Sequence, residues 1–155
     1  VFRSGRKLWA RWIDWRYGRI DRCAPIGLRG EHAAARLLRR KGYLVIAQGE
    51  RDAAGEIDLI ALHRPWFKPA TIVFVEVKTL ATTRPGHPAE RVDADKQRRL
   101  TNASLRYLKR HKLLEHRARF DVIAVWWTDQ ERAEPNRIEH FVNAFEAVGE
   151  GQFYS

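Results

Sequence analysis

Apolar and polar positions recur with a helical period after Pro25. Ala34, Ala35 and Leu38 fall three, four and seven places beyond Glu31, so one stripe of the helix turns inward and Glu31 lies on it. Pro25 suits the lead-in to that helix, and Gly42 suits its end near Lys41. The period then changes. Tyr43 to Ala47 reads as a first strand, and Arg51 to Ala54 as a turn. Gly55 to His63 and Thr71 to Thr79 are short apolar runs rich in Ile and Val, bounded by Gly, Pro and polar residues, which predicts two buried strands. Pro65 and Pro69 bracket a loop carrying Trp66 and Phe67. Thr82 to Glu90, with Pro85, Gly86 and Pro88, is expected to be a mobile loop close to any site on the strands. A second helix is predicted from Val92 to His111, N-capped by Asp93. Leu100, Ala103, Tyr107 and Leu108 form its core stripe, and Lys96 shares that inward side. Arg119 to Thr128 reads as a fourth strand, buried on both faces at Val122 to Val125. A turn at Asp129 to Asn136 leads to a last strand, Arg137 to Ala144.

The order is helix, three strands, helix, strand, strand. A helix between the third and fourth strands permits a crossover, so the pattern predicts an α/β domain with a central mixed sheet flanked by helices. One domain is expected over residues 25–149, preceded by an arm at 1–24 and followed by a tail at 150–155.

Three residues break the pattern. Asp58, Glu76 and Lys78 interrupt two apolar strands. An unpaired charge in a core costs several kcal/mol, so such groups are paired, neutralised or metal-bound. Side chains alternate along a strand, so Glu76 and Lys78 share a face, roughly 6–7 Å apart. One acid followed by an acid–x–lysine on the next strand is the layout of a metal-dependent phosphodiesterase. The oxygen ligands would select Mg²⁺ or Mn²⁺, and no clustered Cys or His points to zinc. Other charges have plainer readings. Glu31 is a favourable acid at the positive end of its helix, or a carboxylate reaching into the site. Glu56 is a turn carboxylate paired with an arginine, or an outer ligand. Asp121 is expected to pair with a nearby basic residue. His87 is an exposed loop histidine, or a substrate contact.

Asp58…Glu76-Val77-Lys78 resembles the PD-(D/E)xK nucleases, with Ile57 in place of the proline before the aspartate. Five features together are similar to the YraN-like family of small bacterial proteins, related to Holliday junction resolvases. They are Gly30-Glu31-His32-Ala33-Ala34, then Gly55 to Ile60, then Phe74 to Thr79, then Gly86-His87-Pro88 with Lys96-Gln97-Arg98-Arg99-Leu100, and finally Arg119 to Ile123. The resemblance covers roughly residues 25 to 127 and implies a restriction-endonuclease-like core of order α-β-β-β-α-β. It implies Asp58, Glu76 and the Val77 carbonyl as ligands of Mg²⁺ or Mn²⁺. Lys78 would orient or deprotonate the attacking water, or stabilise the charge developing on phosphorus. Glu31 would hold a metal-bound water. Lys96 and Gln97 would contact the phosphate. Arg98 and Arg99 belong to a charged helix face that is either simply solvated or tracks the nucleic-acid backbone, where His87 would join them on loop closure. The same kinship implies DNA as partner, branched or structured DNA in particular, and a homodimer.

Composition narrows the partner. The chain has 155 residues, a formal net charge of +10 and a pI near 10.3, which favours an anionic partner. Cys23 is its lone cysteine, so no internal disulfide forms and a reducing, cytoplasmic setting is expected. No apolar run is long enough to span a bilayer, and no signal peptide is expected. With Val1 first and no methionine, the natural start is expected upstream. There is no G-x-S-x-G and no Walker A loop, which removes serine-hydrolase and P-loop chemistry. Residues 1–24 interleave Arg3, Arg6, Lys7, Arg11, Arg16, Arg19 and Arg22 with Trp9, Trp12, Trp15 and Tyr17. That arm reads as a helix packed on the domain or on a protein partner, as a helix on an acidic membrane surface, or as a nucleic-acid arm. Three functions therefore compete: a nuclease, a non-catalytic nucleic-acid-binding or scaffold protein, and a membrane-associated factor.

Overall fold

From Ile26 on, the described residues form α1 (Ile26–Arg40), β1 (Leu44–Asp52), β2 (Gly55–His63), β3 (Thr71–Leu80), α2 (Ala94–Arg110), β4 (Arg117–Trp126) and β5 (Arg137–Phe145) in turn. The computed structural model describes Trp12 and residues 15–81 and 92–148. His87 and its loop, residues 1–11, 13–14 and the tail lie outside the described residues.

The strands form one sheet in the order β1-β2-β3-β4-β5. Neighbours are antiparallel except β3 and β4, which run parallel from Thr71↔Arg117 to Leu80↔Trp126. A parallel pair needs a crossover, and α2 provides it. The architecture is the mixed, helix-flanked sheet of a restriction-endonuclease-like fold.

Alternation sorts the core into two layers. Leu59, Ala61, Val73, Val75, Ile123 and Val125 face α1, where Ala33, Ala34, Ala35 and Leu38 meet them. Ile60, Ile72, Phe74 and Phe120 face α2, where Leu100, Ala103, Tyr107 and Leu108 meet them. Gly42 ends the α1 segment at φ 86°, a left-handed turn that glycine adopts without strain. Asp93 caps α2 by accepting the Lys96 N–H at 2.8 Å.

The first strand differs from its sequence reading. β1 runs on to Asp52 through Gln48, Gly49, Glu50 and Arg51, which pair with β2 as far as Asp52↔Gly55. Only the tip of the hairpin is a turn. β1 is an edge strand with one side open to solvent, so polar side chains do not prevent pairing there. β4 likewise begins two residues early, because Arg117 and Ala118 pair with Thr71 and Ile72. Among the described residues no helix is long and apolar enough to cross a membrane.

Candidate active site

The antiparallel ladder between β2 and β3 runs from His63↔Thr71 and stops at Leu59↔Val75. Its register would next set Asp58 opposite Glu76, but the strands part there. Asp58 Oδ2 instead accepts the backbone N–H of Val77 at 2.7 Å. A strand directs the N–H and C=O of one residue toward the same neighbour, so the Val77 carbonyl also faces this fork.

Glu76 is 2% exposed, on the α2 side of the sheet. Lys78 Nζ lies 2.9 Å from its Oε1, which bears out a shared face two residues apart. Lys96, from the first turn of α2, brings its Nζ to 3.1 Å from Oε2. That contact is an ion pair by distance but lies off a hydrogen-bonding direction, so Oε2 is buried without a hydrogen-bond donor.

From the opposite face α1 delivers Glu31. The helix comes very close to β3: a Cβ on Gly30 would stand 1.9 Å from Thr79 Oγ1. Only glycine permits that approach, and Glu31 is the next residue. Burial raises the Glu31 carboxyl above its ordinary range, helped by Glu56 and Glu76 and opposed by Arg51. Asp58 is pushed up to about 7, by burial first and then by the charge of Glu76, while the Val77 N–H and Lys96 pull the other way.

The fork thus collects Asp58, Glu76, Lys78, Lys96 and Glu31. Other candidates sit at its margin. The Gln97 side chain donates to the Val92 carbonyl at 2.8 Å and steadies the entry to α2. Arg98 pairs with Asp95 at 2.9 Å on the exposed side of α2. Arg99 is exposed, and its backbone carbonyl lies 3.6 Å from where a Cβ on Gly55 would stand, beside the start of β2. Glu56 pairs with Arg51 at 2.7 Å, the plainer of its two readings.

The donor set suits a hard dication. All its ligand atoms are oxygens, one of them is buried without a hydrogen bond, and Asp58 resists ionising because it is buried beside the charge of Glu76. Among the described residues no three His, Cys, Asp or Glu side chains converge into a ready-made cluster. The set for such an ion would be two carboxylates and a carbonyl, with water to complete it.

Asp121 serves structure, as its sequence context suggested. It accepts from Arg119 at 2.8 and 3.1 Å, from the Asn143 N–H at 2.9 Å, and lies 2.7 Å from His140 Nε2. Burial would raise its carboxyl, but the bonds from His140, Arg119 and Asn143 leave it below the usual range. Tyr43 and His63 extend this network, unseen in the sequence because its members come from β2, β4, β5 and the lead-in to β1. Their rings stack at 4.3 Å, and Arg119 donates to the Tyr43 hydroxyl at 3.0 Å. The network lies on the α1 face, and His63 is five residues along β2 from Asp58, roughly 17 Å away. A cavity of about 190 Å³ bounded by Thr71, Arg117, Asn143 and Glu146 shares no residue with the fork.

The sequence profile described as "Uncharacterised protein family UPF0102" matches residues 30–125, the span that holds every residue of the fork. The chain belongs to the UPF0102 family. This YraN-like family is part of the restriction-endonuclease-like superfamily, in keeping with the fold. A UPF0102 protein of Rhodopirellula baltica is 59% identical over 150 residues, covering 97% of this chain and 87% of that one. UPF0102 proteins of Chlorobium phaeobacteroides and Geobacter sulfurreducens are 38% and 41% identical over 122 and 121 residues. These alignments cover 77% and 78% of this chain, and 93% and 88% of the relatives. The first alignment is long enough to take in most of the arm, which the UPF0102 profile leaves out.

Proposed function

We propose that this UPF0102 protein hydrolyses phosphodiester bonds of DNA with the help of Mg²⁺ or Mn²⁺. The observation that carries the reading is the fork, where Asp58 and Glu76 meet at the point at which β2 and β3 separate, with two lysines beside them. Asp58, Glu76 and the Val77 carbonyl would hold the ion. A divalent ion there supplies charge for the phosphate, an acidified water and stabilisation of the leaving oxygen. Lys78, anchored on Glu76, would orient the attacking water, take its proton or stabilise the charge developing on phosphorus. Lys96 reaches the same carboxylate from another element and would meet the scissile phosphate. Glu31 would hold a water on the α1 side. Exposed Arg98 and Arg99 on α2 would lie along the backbone, where contacts of this kind give salt-dependent and weakly sequence-selective binding. Branched DNA is the finer expectation, carried by the resolvase kinship alone.

The test is a panel of linear, nicked, single-stranded and four-way-junction DNA, with and without Mn²⁺, for wild type and Glu76→Ala. Mn²⁺-dependent nicking that Glu76→Ala abolishes supports the reading, and nicking retained in that variant refutes it. A second reading, nucleic-acid binding without turnover, has one observation in its favour: each carboxylate oxygen of Glu76 already has a lysine within 3.1 Å. Salt-sensitive DNA binding with no affinity for Mn²⁺ selects it.

A further inference from the structure

The tip of the β2–β3 hairpin is the least shielded apolar feature of the described chain. Trp66 is 87% exposed and Phe67 97%. Their rings pack edge to face, 5.8 Å apart, so they project together as one wedge. Phe67 holds φ 62°, a left-handed conformation that bulky residues rarely adopt. Exposed Arg64 and Lys68 flank the pair.

The wedge points away from the candidate active site. Asp58 lies in the first half of β2 and Arg64 follows its end, so the strand alone separates the two by roughly 20 Å. Other exposed apolar groups lie toward the wedge's end of the sheet. Leu44, 59% exposed, pairs with Leu62 there. The arm is tied on at the last turns of α1, where Arg36 and Arg39 donate to the carbonyls of Gly18 and Tyr17, and its Trp15 is 80% exposed.

We propose that this end of the molecule docks on an anionic lipid surface, with Trp66 and Phe67 entering the boundary between headgroups and acyl chains. Aromatic side chains favour that boundary, and Arg64 and Lys68 would meet acidic headgroups beside them. The net charge of +10 favours the same approach. Bases stack on platforms set in a groove that tracks the backbone, whereas these rings stand on a convex tip, one with its edge against the other. Lipid therefore fits the shape better than nucleic acid. Docking at this end leaves the fork facing away from the bilayer. None of the fork's residues takes part in this docking, which is independent of whether the protein cleaves DNA.

Co-sedimentation of the full chain with phosphatidylcholine vesicles, with and without phosphatidylglycerol, tests this. The wild type should pellet with the anionic vesicles, less so as salt is raised. Trp66→Ser/Phe67→Ser should weaken that partitioning by about tenfold, and Arg64→Glu/Lys68→Glu by a similar factor, both with unchanged melting temperatures. Three results would overturn the proposal. The wild type could ignore anionic vesicles. The aromatic variant could bind them as the wild type does. Or that variant could keep vesicle binding and lose affinity for a single-stranded oligonucleotide, which assigns the wedge to bases.

Discussion

Asp58 completes the hydrogen bonding of its neighbour strand: its carboxylate takes the Val77 N–H at 2.7 Å, where a β2 carbonyl would otherwise be expected. The same side chain is held near neutrality. Its pKa stands at about 7, against 3.8 for an unhindered aspartate. A carboxyl that ionises less readily folded than unfolded lowers stability as it is forced to ionise. That penalty is absent below pH 3.8, grows across the interval and is complete above 7. A shift of this size corresponds to at most ~4 kcal/mol. Asp58→Asn keeps an acceptor for Val77 and should stabilise the metal-free protein by about 1–3 kcal/mol near pH 8, and by nothing near pH 4. Urea denaturation at the two pH values measures it, and an equal gain at both removes the electrostatic cause.

The same carboxyl must lose its proton to bind a cation. Mn²⁺ affinity should therefore weaken as pH falls through about 7, by close to tenfold per pH unit if Asp58 alone titrates. Calorimetric titration with Mn²⁺ across that range reads this directly. A flat profile would show that Asp58 is not a ligand.

Lys96→Met removes one of the two ammonium groups on Glu76 and leaves a carboxylate that is 2% exposed with Lys78 alone. Breaking a buried ion pair from one side costs about 3–5 kcal/mol, and less where the partner is partly open to water. Lys96 is 28% exposed at its side chain, so a loss of about 1–3 kcal/mol is expected. Mn²⁺ should restore part of it. Thermal melts with and without the ion make the comparison.

Asp121→Asn should uncouple stability from catalysis. Its pKa is lowered, so the stability it contributes is present at neutral pH and is lost as pH falls through its folded value. The substitution should cost about 2–4 kcal/mol near pH 7, and progressively less under acid conditions. Nicking per folded molecule should not change, because the network lies toward the far end of β2, where His63 stands roughly 17 Å from Asp58. A large loss of turnover at full folding would place Asp121 in the site.

Gly30→Ala reverses a normal trend. Alanine improves a helix interior by about 1 kcal/mol over glycine. Here the new methyl would meet Thr79 Oγ1 at 1.9 Å, so the expected result is a loss of about 1–3 kcal/mol. Adding Thr79→Ala should return part of it, since the threonine Cβ alone would remain at 3.1 Å. Stabilisation by Gly30→Ala would mean that α1 does not pack this tightly on β3.

Most of this arrangement was legible in the sequence because it rests on short-range pattern. Charges inside apolar strands announced Asp58, Glu76 and Lys78, and the helical period put Lys96 and Glu31 on inward faces. What escaped was set by pairing across distance. β1 looked like a five-residue strand because Gln48 to Arg51 carry no apolar alternation, yet β2 recruits them as an edge. The Tyr43–His63–Arg119–Asp121–His140 network could not be foreseen, since its histidines and tyrosine have no mutual spacing in the chain. The two lysines on one carboxylate were equally invisible: each was expected near the site, and only the fold brings both to Glu76.

The parting of β2 from β3 sets where Asp58 and Glu76 are open to anything outside the sheet. The opening is neither a loop nor a domain cleft. It exists because a ladder ends one rung early. Extending that ladder by a single pair would seal Asp58 and Glu76 inside the sheet, and ending it a pair sooner would pull them out of reach of each other. Strand length, counted in single residues, is therefore the dimension on which any redesign of this protein must first be conservative.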